Sequence, residues 1–284
     1  HFGLGGAFVE PDAKKQARKG HVLDRPHALA VDPGRGRRQQ RHHPAQGQRG
    51  LPANKQQHTH ADQRARMIPV FAPELRQSAG SFRLNTGRIR DQWHTMTRSG
   101  KSPRLSAHLA EPFVEIHPDD AAALNLKPAE LVELSAGRAR GLFRALITPR
   151  APQGQLFAPM HWSRQNSRAG GVNLLVPAEI DPISGQPALK AGDVRARRYA
   201  ATWYGYLATR GPVDVQILGA RSYGATARTG TGYQTELASR EALDGSEALS
   251  DLLRALTGIL DGEIARYEDL ASGQGRVALT RGGV

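Results

Sequence analysis

Residues 84–95, Leu-Asn-Thr-Gly-Arg-Ile-Arg-Asp-Gln-Trp-His-Thr, carry the side chains in this sequence whose types and spacing suit chemistry. Thr86-Gly87-Arg88 follows a strand-like run at 81–87 and offers backbone N–H groups at a turn, where glycine permits close approach. Arg88 and His94 can give charge-assisted hydrogen bonds to a phosphate. Trp93 can pack against a flat ring. Together these groups suit a pyrophosphate-linked nucleotide. An ordinary strand and turn, with Trp93 as core filler, accounts for any one residue but not for the whole phrase.

Other constellations carry less. Asp119-Asp120 follows Pro118 and reads as an acidic helix start rather than a pair of catalytic carboxylates. Ser163 and Ser167 lie near His161 without an acidic partner, so no nucleophilic triad is expected. The glycines of Gly3-Leu4-Gly5-Gly6 lack the strand and spacing of a nucleotide fingerprint, and Thr229-Gly230-Thr231-Gly232 has no Lys-Ser/Thr pair beside it. His42, His43, His58 and His60 have spacings that arise readily by chance in a polar tail, and no metal site is read from them. The sequence has no cysteine, so it supplies no disulfide and no thiolate for an iron–sulfur cluster or a metal. No residue is read as a catalytic acid, base or nucleophile.

The elements that must position the phrase begin after a change of composition. Over residues 1–66 there are 13 basic and 5 acidic side chains, so +8 of the net +13 charge lies there, with seven of the eleven histidines. Apolar residues are sparse and follow neither a strand nor a helix period, so this segment is expected to be disordered. Its Arg, Pro, Gly, Gln and His mixture is also what a GC-rich coding region gives in the wrong frame, and we read residues 10–57 that way. The chain begins with His rather than Met, as a piece of a longer protein would. From Met67 short strands recur: 67–71, 81–87, 113–116, then 131–136 and 141–148 across a Gly-Arg turn, and 156–162. One small helix is expected from Pro118. This pattern predicts a barrel-like β domain with minor helices over 67–198. Residues 199–284 read as a small α/β or helical connector segment. In it Leu249, Leu252, Leu253, Leu256, Ile259 and Leu260 share a helical face, with Ser246 as N-cap. No apolar run reaches 18 residues and no basic-then-apolar leader opens the chain.

The phrase Asn-Thr-Gly-Arg-Ile-Arg-Asp-Gln-Trp-His-Thr-Met-Thr-Arg at 85–98 resembles the C-terminal molybdopterin-dinucleotide-binding domain of bacterial nitrate reductases, in the molybdopterin oxidoreductase family. The resemblance is strongest to the assimilatory catalytic subunit. It continues through 155–162, 172–176 and 181–195 in the family's order, and more loosely through 203–210 and 266–273. It implies a double-psi β-barrel and a molybdenum cofactor carrying two molybdopterin guanine dinucleotides. By the same likeness, Thr86, Gly87, Arg88, Gln92, Trp93, His94 and Thr95 would line the dinucleotide arm of one pterin. Asn173 and Lys190 would also meet the cofactor, and His161 and Trp162 would lie near the substrate funnel. Where the family has Gly-Asp before strand 131–136, this chain has Ala129-Glu130, which bears on the geometry of that turn. Relatives also hold a [4Fe–4S] cluster and a molybdenum thiolate through cysteines, which here would have to lie upstream.

The resemblance therefore implies a share in the reduction of nitrate to nitrite during cytoplasmic nitrate assimilation, with an unspecified electron donor. The chain alone is expected to be inactive, with neither membrane nor nucleic acid as partner. A formate dehydrogenase-like relative is the alternative within the family; Asp91-Gln92-Trp93-His94-Thr95 leans toward nitrate. Outside it stand a basic nucleic-acid-binding protein and a non-functional remnant. Resequencing the gene through and upstream of residues 1–66 is expected to reveal a second frame that continues into a cysteine-bearing N-terminal motif. One intact frame through this region would overturn the frame-shift reading.

Overall fold

The computed structural model describes residues 5–11, 64, 77–180, 185–269 and 271–282. The chain divides into two compact units, His1–Arg18 with Arg76–Val284, and Lys19–Leu75. Everything that follows lies in the first. The strand expected at 67–71 and the histidines between 42 and 60 fall outside the described residues, as does nearly all of the segment read as out of frame.

In chain order the elements are strand β1 (Gly5–Pro11), β2 (Phe82–Gly87), helix α1 (Pro103–Ser106), β3 (Phe113–Ile116), α2 (Pro118–Ala123), β4 (Leu131–Ala136) and β5 (Ala139–Ile147). There follow β6 (Gln155–Pro159), β7 (Ser167–Arg168), β8 (Gly192–Arg198), β9 (Trp203–Thr209), β10 (Ser222–Arg228), β11 (Tyr233–Ser239), α3 (Gly245–Thr257), β12 (Glu263–Asp269) and β13 (Gln274–Thr280).

Six of these strands close into a barrel in the order β2-β6-β3-β5-β4-β8. Strand β2 runs parallel to β6 and β3 parallel to β5, while the other pairs are antiparallel. This is the closed mixed barrel that the resemblance led us to expect. Alternation fills it: Leu84, Val114, Ile116, Val132, Leu134, Phe143, Leu156 and Val194 meet inside. The expected short helix is α2. His117 caps it by accepting from the N–H of Asp119 at 3.2 Å, Pro118 occupies its first turn, and Asp120 accepts from the N–H of Gly154 at 2.7 Å.

Strand β4 is buried on both faces because a second sheet covers its outer side. That sheet has the order β12-β13-β1-β9-β11-β10-β7. Leu131 and Leu142 of the barrel pack with Tyr223 and Ala225 of β10 and Ala238 of β11. The far side of the sheet is covered by α3, whose Leu249, Leu253 and Leu256 meet Trp203, Leu207, Leu237, Val277 and Leu279. Each such leucine contributes roughly 1.5–3 kcal/mol on burial.

Several sequence expectations need correction. Gly5–Pro11, inside the stretch expected to lack regular structure, pairs with both β9 and β13; its partners supply the order that its local composition does not. The C-terminal segment is more than a connector, for it contributes five antiparallel strands besides its helix. Helix α3 is capped at Asp244, not Ser246. It stops at Gly258, which is left-handed with φ 70°, so Leu260 leaves the predicted apolar face and is exposed.

The turn before β4 carries the Ala129-Glu130 departure. Ala129 adopts φ +63°, the conformation glycine takes without strain. Neighbouring groups hold it there: its N–H donates to the carbonyl of Ala145 at 3.2 Å, and its carbonyl accepts from Arg144 at 2.9 Å. Glu130 closes the turn by accepting from the N–H of Lys127 at 2.9 Å and pairs with Arg198 at 2.6 Å. A left-handed alanine costs roughly 1–2 kcal/mol, part of which glycine returns through chain entropy. Ala129→Gly is therefore expected to raise stability by about 0.5–1 kcal/mol in urea unfolding. A loss of stability would show that the turn is not strained.

Candidate functional site

The candidate site is built where β2 leaves the barrel. Thr86 is buried, and its hydroxyl and its N–H both donate to the carbonyl of Leu189, at 2.8 and 3.1 Å. Its own carbonyl accepts from the ammonium of Lys190. At Gly87 a Cβ would lie 2.8 Å from the Phe157 ring on the parallel neighbour β6. Glycine admits this close approach of the ring, and its φ is not left-handed. Thr86, Gly87 and Lys190 are thus brought together across a wide sequence gap.

From Gly87 the chain enters a loop that closes on helix α1. The Arg88 guanidinium lies over the Trp93 ring, 5.3 Å from its centroid, and the His94 ring stands edge-on to Trp93 at 4.5 Å. Trp93 is 58% exposed, which rules out the core-filler reading. Two residues that are not glycine have left-handed backbone, His94 with φ 45° and Met96 with φ 62°. Such geometry costs of order 1–3 kcal/mol per residue and persists only where surrounding contacts impose it.

Those contacts can be named. His161 is 0% exposed, accepts the N–H of Ile89 at Nε2 at 2.9 Å, and contacts the carbonyl of His94 through Nδ1 at 2.6 Å. Because an amide can only donate to Nε2, the hydrogen of the neutral ring must sit on Nδ1, where it is donated to His94. Burial pushes the His161 pKa down, and the nearby Arg88 charge adds to this, which favours the same neutral form. Met96 is buried against Phe113 and Trp162. Trp93 donates its N–H to the Ser99 hydroxyl at 3.1 Å. The Asp91 carboxylate accepts from Arg90 and His108, both at 2.8 Å; the Arg90 hydrogen bond chiefly holds its pKa below the usual range.

The expected site residues do not all face one way. Arg88, Trp93, His94 and Thr95 are exposed on the loop, and Lys190 is exposed beside the end of β2. No described group accepts from the backbone N–H of His94 or Thr95. Asn173 is exposed on the short 3-10 turn Val172–Leu175, whose Val172 and Leu175 plug the barrel; no described hydrogen bond joins it to the loop. Gln92 turns inward and is 4% exposed. It donates weakly to the carbonyl of Leu105 at 3.4 Å and lines a small cavity with Met96, Trp162, Asn166 and Thr226. Its Oε1 has no hydrogen-bond partner among the described residues. His161 and Trp162, expected at a substrate funnel, are buried in this structure, and their contacts are with the loop and Phe113. Ser163 and Ser167 accept backbone N–H groups, from Gln165 at 3.4 Å and Gly170 at 2.8 Å. Sequence reasoning missed the bracing roles of Ser99, Asp91 and His108; no spacing motif marks them, since each matters only once the loop has folded back.

Chemically, the outer surface of the loop presents a guanidinium, an imidazole, an indole face and backbone N–H groups. Those groups suit a pyrophosphate flanked by a flat heterocycle. No acid–base pair is arranged on it, and among the described residues no group of three His, Cys, Asp or Glu side chains could hold a metal ion.

Comparison with known proteins agrees with this geometry. Residues 82–192 match the family model of the molydopterin dinucleotide binding domain, which covers five of the six barrel strands and the first residue of β8. The chain is 42% identical over 159 residues to the nitrate reductase of Klebsiella oxytoca, covering 55% of this chain and 18% of that protein. It is 32% identical over 138 residues to the F420-dependent formate dehydrogenase subunit alpha of Methanocaldococcus jannaschii, covering 48% and 20%. It is 30% identical over 141 residues to the assimilatory nitrate reductase catalytic subunit of Bacillus subtilis, covering 48% and 19%. The chain thus spans a fifth or less of the length of these relatives. The barrel with its strained, cation-bearing loop is a molybdopterin dinucleotide-binding domain of the kind found in nitrate reductases.

Proposed function

We propose that this barrel holds the guanine dinucleotide arm of a molybdopterin cofactor in an assimilatory nitrate reductase that turns nitrate into nitrite. The observation that carries this reading is the loop after β2. Its left-handed residues, His94 and Met96, belong to a surface bearing Arg88, Trp93 and the N–H groups of His94 and Thr95, for which no described group is an acceptor. Backbone strain braced by buried contacts marks a surface shaped for a ligand.

The residues present fit that ligand. Arg88 is pre-oriented on Trp93 and can bond pyrophosphate oxygens through two parallel N–H groups. Lys190 is anchored at the Thr86 carbonyl and can turn its remaining hydrogens toward the same anion. The open Trp93 face can stack on a flat base, and Thr95 can add a hydroxyl contact. Asn173 would meet the cofactor elsewhere along its length. The cofactor, when bound, supplies the redox chemistry that removes one oxygen from nitrate; these side chains fix its position and screen its charge. In the longer protein we place two dinucleotides on molybdenum and a [4Fe–4S] cluster held by cysteines outside this chain, working in the cytoplasm.

The likeness to a formate dehydrogenase subunit supports formate oxidation as a second reading. Assaying the complete protein with both substrates decides between them: turnover of nitrate without formate is expected, and the reverse would replace the reading.

Guanosine diphosphate, which carries the nucleotide end of the arm, tests the binding directly. Removing a charge-assisted hydrogen bond costs about 1.5–3 kcal/mol, so Arg88→Ala and Lys190→Ala should each weaken binding to the 284-residue chain roughly tenfold or more in calorimetry. Equal affinity in wild type and both variants would place the nucleotide elsewhere.

A further inference from the structure

We propose that His161, in its neutral form, is the positioning residue of the dinucleotide loop: one buried ring clamps both ends of residues 89–94 and so holds the nucleotide-facing surface in its strained shape. The inference rests on the dinucleotide reading for its functional consequence, but its structural part stands on the geometry alone.

The ring bridges two backbone groups on opposite sides of the loop. Ile89, just after the β2 exit, donates its N–H to Nε2 at 2.9 Å, while the carbonyl of left-handed His94 receives the Nδ1 hydrogen at 2.6 Å. Between these two points lie the Arg90–Asp91 pair, the inward-turned Gln92 and the exposed Trp93. The clamp therefore sets where Trp93, with Arg88 stacked on it, stands relative to the end of β2. His161 itself follows directly from β6, the parallel neighbour of β2, so it is registered to the barrel rather than to the loop. Its neighbour Trp162 is fixed by Phe113 and Met96 on the other side. A side chain completely buried, with both polar atoms spent on one loop, shapes that loop and leaves no ring nitrogen for substrate.

The clamp works in only one protonation state. A proton on Nε2 would turn the acceptor for the Ile89 N–H into a second donor facing it, which replaces a hydrogen bond with a repulsion. The charged and titratable groups that face the ring are Arg88 and His94, both of which disfavour its protonation, and the His94 carbonyl, which favours it; burial is the largest influence and also disfavours it. The pKa is thus lower when the loop is closed than when it is open. The sign follows: the clamp is complete above the ordinary histidine range, weakens as pH falls below about 6.5, and is lost once pH passes below the depressed value.

The test uses the 284-residue chain with wild type, His161→Phe, His161→Gln and, as a control for the exposed imidazole, His94→Gln. Amide hydrogen exchange reads the clamp without any ligand. Losing a buried hydrogen bond of about 1–1.5 kcal/mol should speed exchange at Ile89 roughly tenfold in His161→Phe, while protection in the barrel strands stays unchanged. His161→Gln, which keeps an acceptor near the Nε2 position and cannot titrate, should restore part of that protection. Nitrogen NMR of the imidazole should show the Nδ1–H tautomer at neutral pH. Calorimetry with guanosine diphosphate supplies the functional reading. Affinity should fall about tenfold in His161→Phe. The affinity of wild type relative to His161→Gln should fall as pH falls, and so should that of His94→Gln relative to the His94→Gln/His161→Gln double variant, ratios in which the nucleotide's own titration and the exposed imidazole cancel. Unchanged Ile89 exchange in His161→Phe, or an Nε2–H tautomer, would overturn the clamp. Equal nucleotide affinity in wild type and His161→Phe would overturn its functional role. Absence of nucleotide binding in every variant, with the exchange result intact, would instead reject the dinucleotide reading and with it that role, leaving His161 only as a loop brace.

Discussion

The pair formed by Arg144 and Glu111 ties the molecule together. Its two hydrogen bonds, 3.0 and 2.8 Å, run in parallel from one edge of the guanidinium to both carboxylate oxygens. Arg144 belongs to β5 of the barrel, and its third nitrogen, Nη1, donates to the carbonyl of the strained Ala129. Tyr223 of β10 donates to the same Glu111 carboxylate at 2.7 Å and lies under the guanidinium, 5.6 Å from ring centroid to cation. One charge pair thus fixes a barrel strand, the turn before β4 and the second sheet. Partly withdrawing both charges from water is costly, and the further bonds to the Ala129 carbonyl and from the Tyr223 hydroxyl help to offset that cost. Burial opposes the charge on Arg144, yet Glu111 outweighs it and the guanidinium pKa is raised.

Around that pair the barrel and the sheet use charge in a graded way. Glu133, itself buried, accepts from Arg140 at 3.1 Å and Arg197 at 2.7 Å, with Arg240 at 3.6 Å. The Arg240 guanidinium also stacks on Tyr199, whose hydroxyl donates to the carbonyl of Arg221 and whose pKa burial pushes up to about 12. The excess of arginine among the described residues is therefore partly structural. This weakens any argument from net charge toward nucleic acid, since several of these cations are already spent on carboxylates.

The proposed binding surface is held in a different way. Its loop has no regular hydrogen-bond ladder, and its shape is imposed from beneath by a histidine, a serine hydroxyl and a buried methionine. Rigid strands beneath and a strained loop above give a surface that is set before a ligand arrives, which lowers the ordering cost of binding. Gly87 shows how closely the two are joined: a Cβ there would stand 2.8 Å from the edge of the Phe157 ring. At Ala129, by contrast, the strain falls in a turn held by Arg144 and Glu130, away from the loop after β2.

Much of this was legible in the sequence. The strands at 113–116 and 131–136, the helix from Pro118 and the cofactor phrase were all marked by local signals: alternation, proline and acidic starts, and glycine at a crowded exit. The resemblance then named the barrel and its ligand class. Tertiary structure alone decided what local signals cannot carry. It drew Gly5–Pro11 into a sheet between Trp203–Thr209 and Gln274–Thr280, near the far end of the sequence, because a strand's partner rather than its composition satisfies its backbone. It turned Gln92 inward and Trp93 outward, although both stand in one polar phrase, because the loop folds back onto Leu105 and Ser99. And it gave His161 its place. The contacts that define that residue span 72 and 67 positions of chain. Hydrogen bonds of such range depend on strand registry in a closed barrel and leave no periodic trace in the amino-acid order.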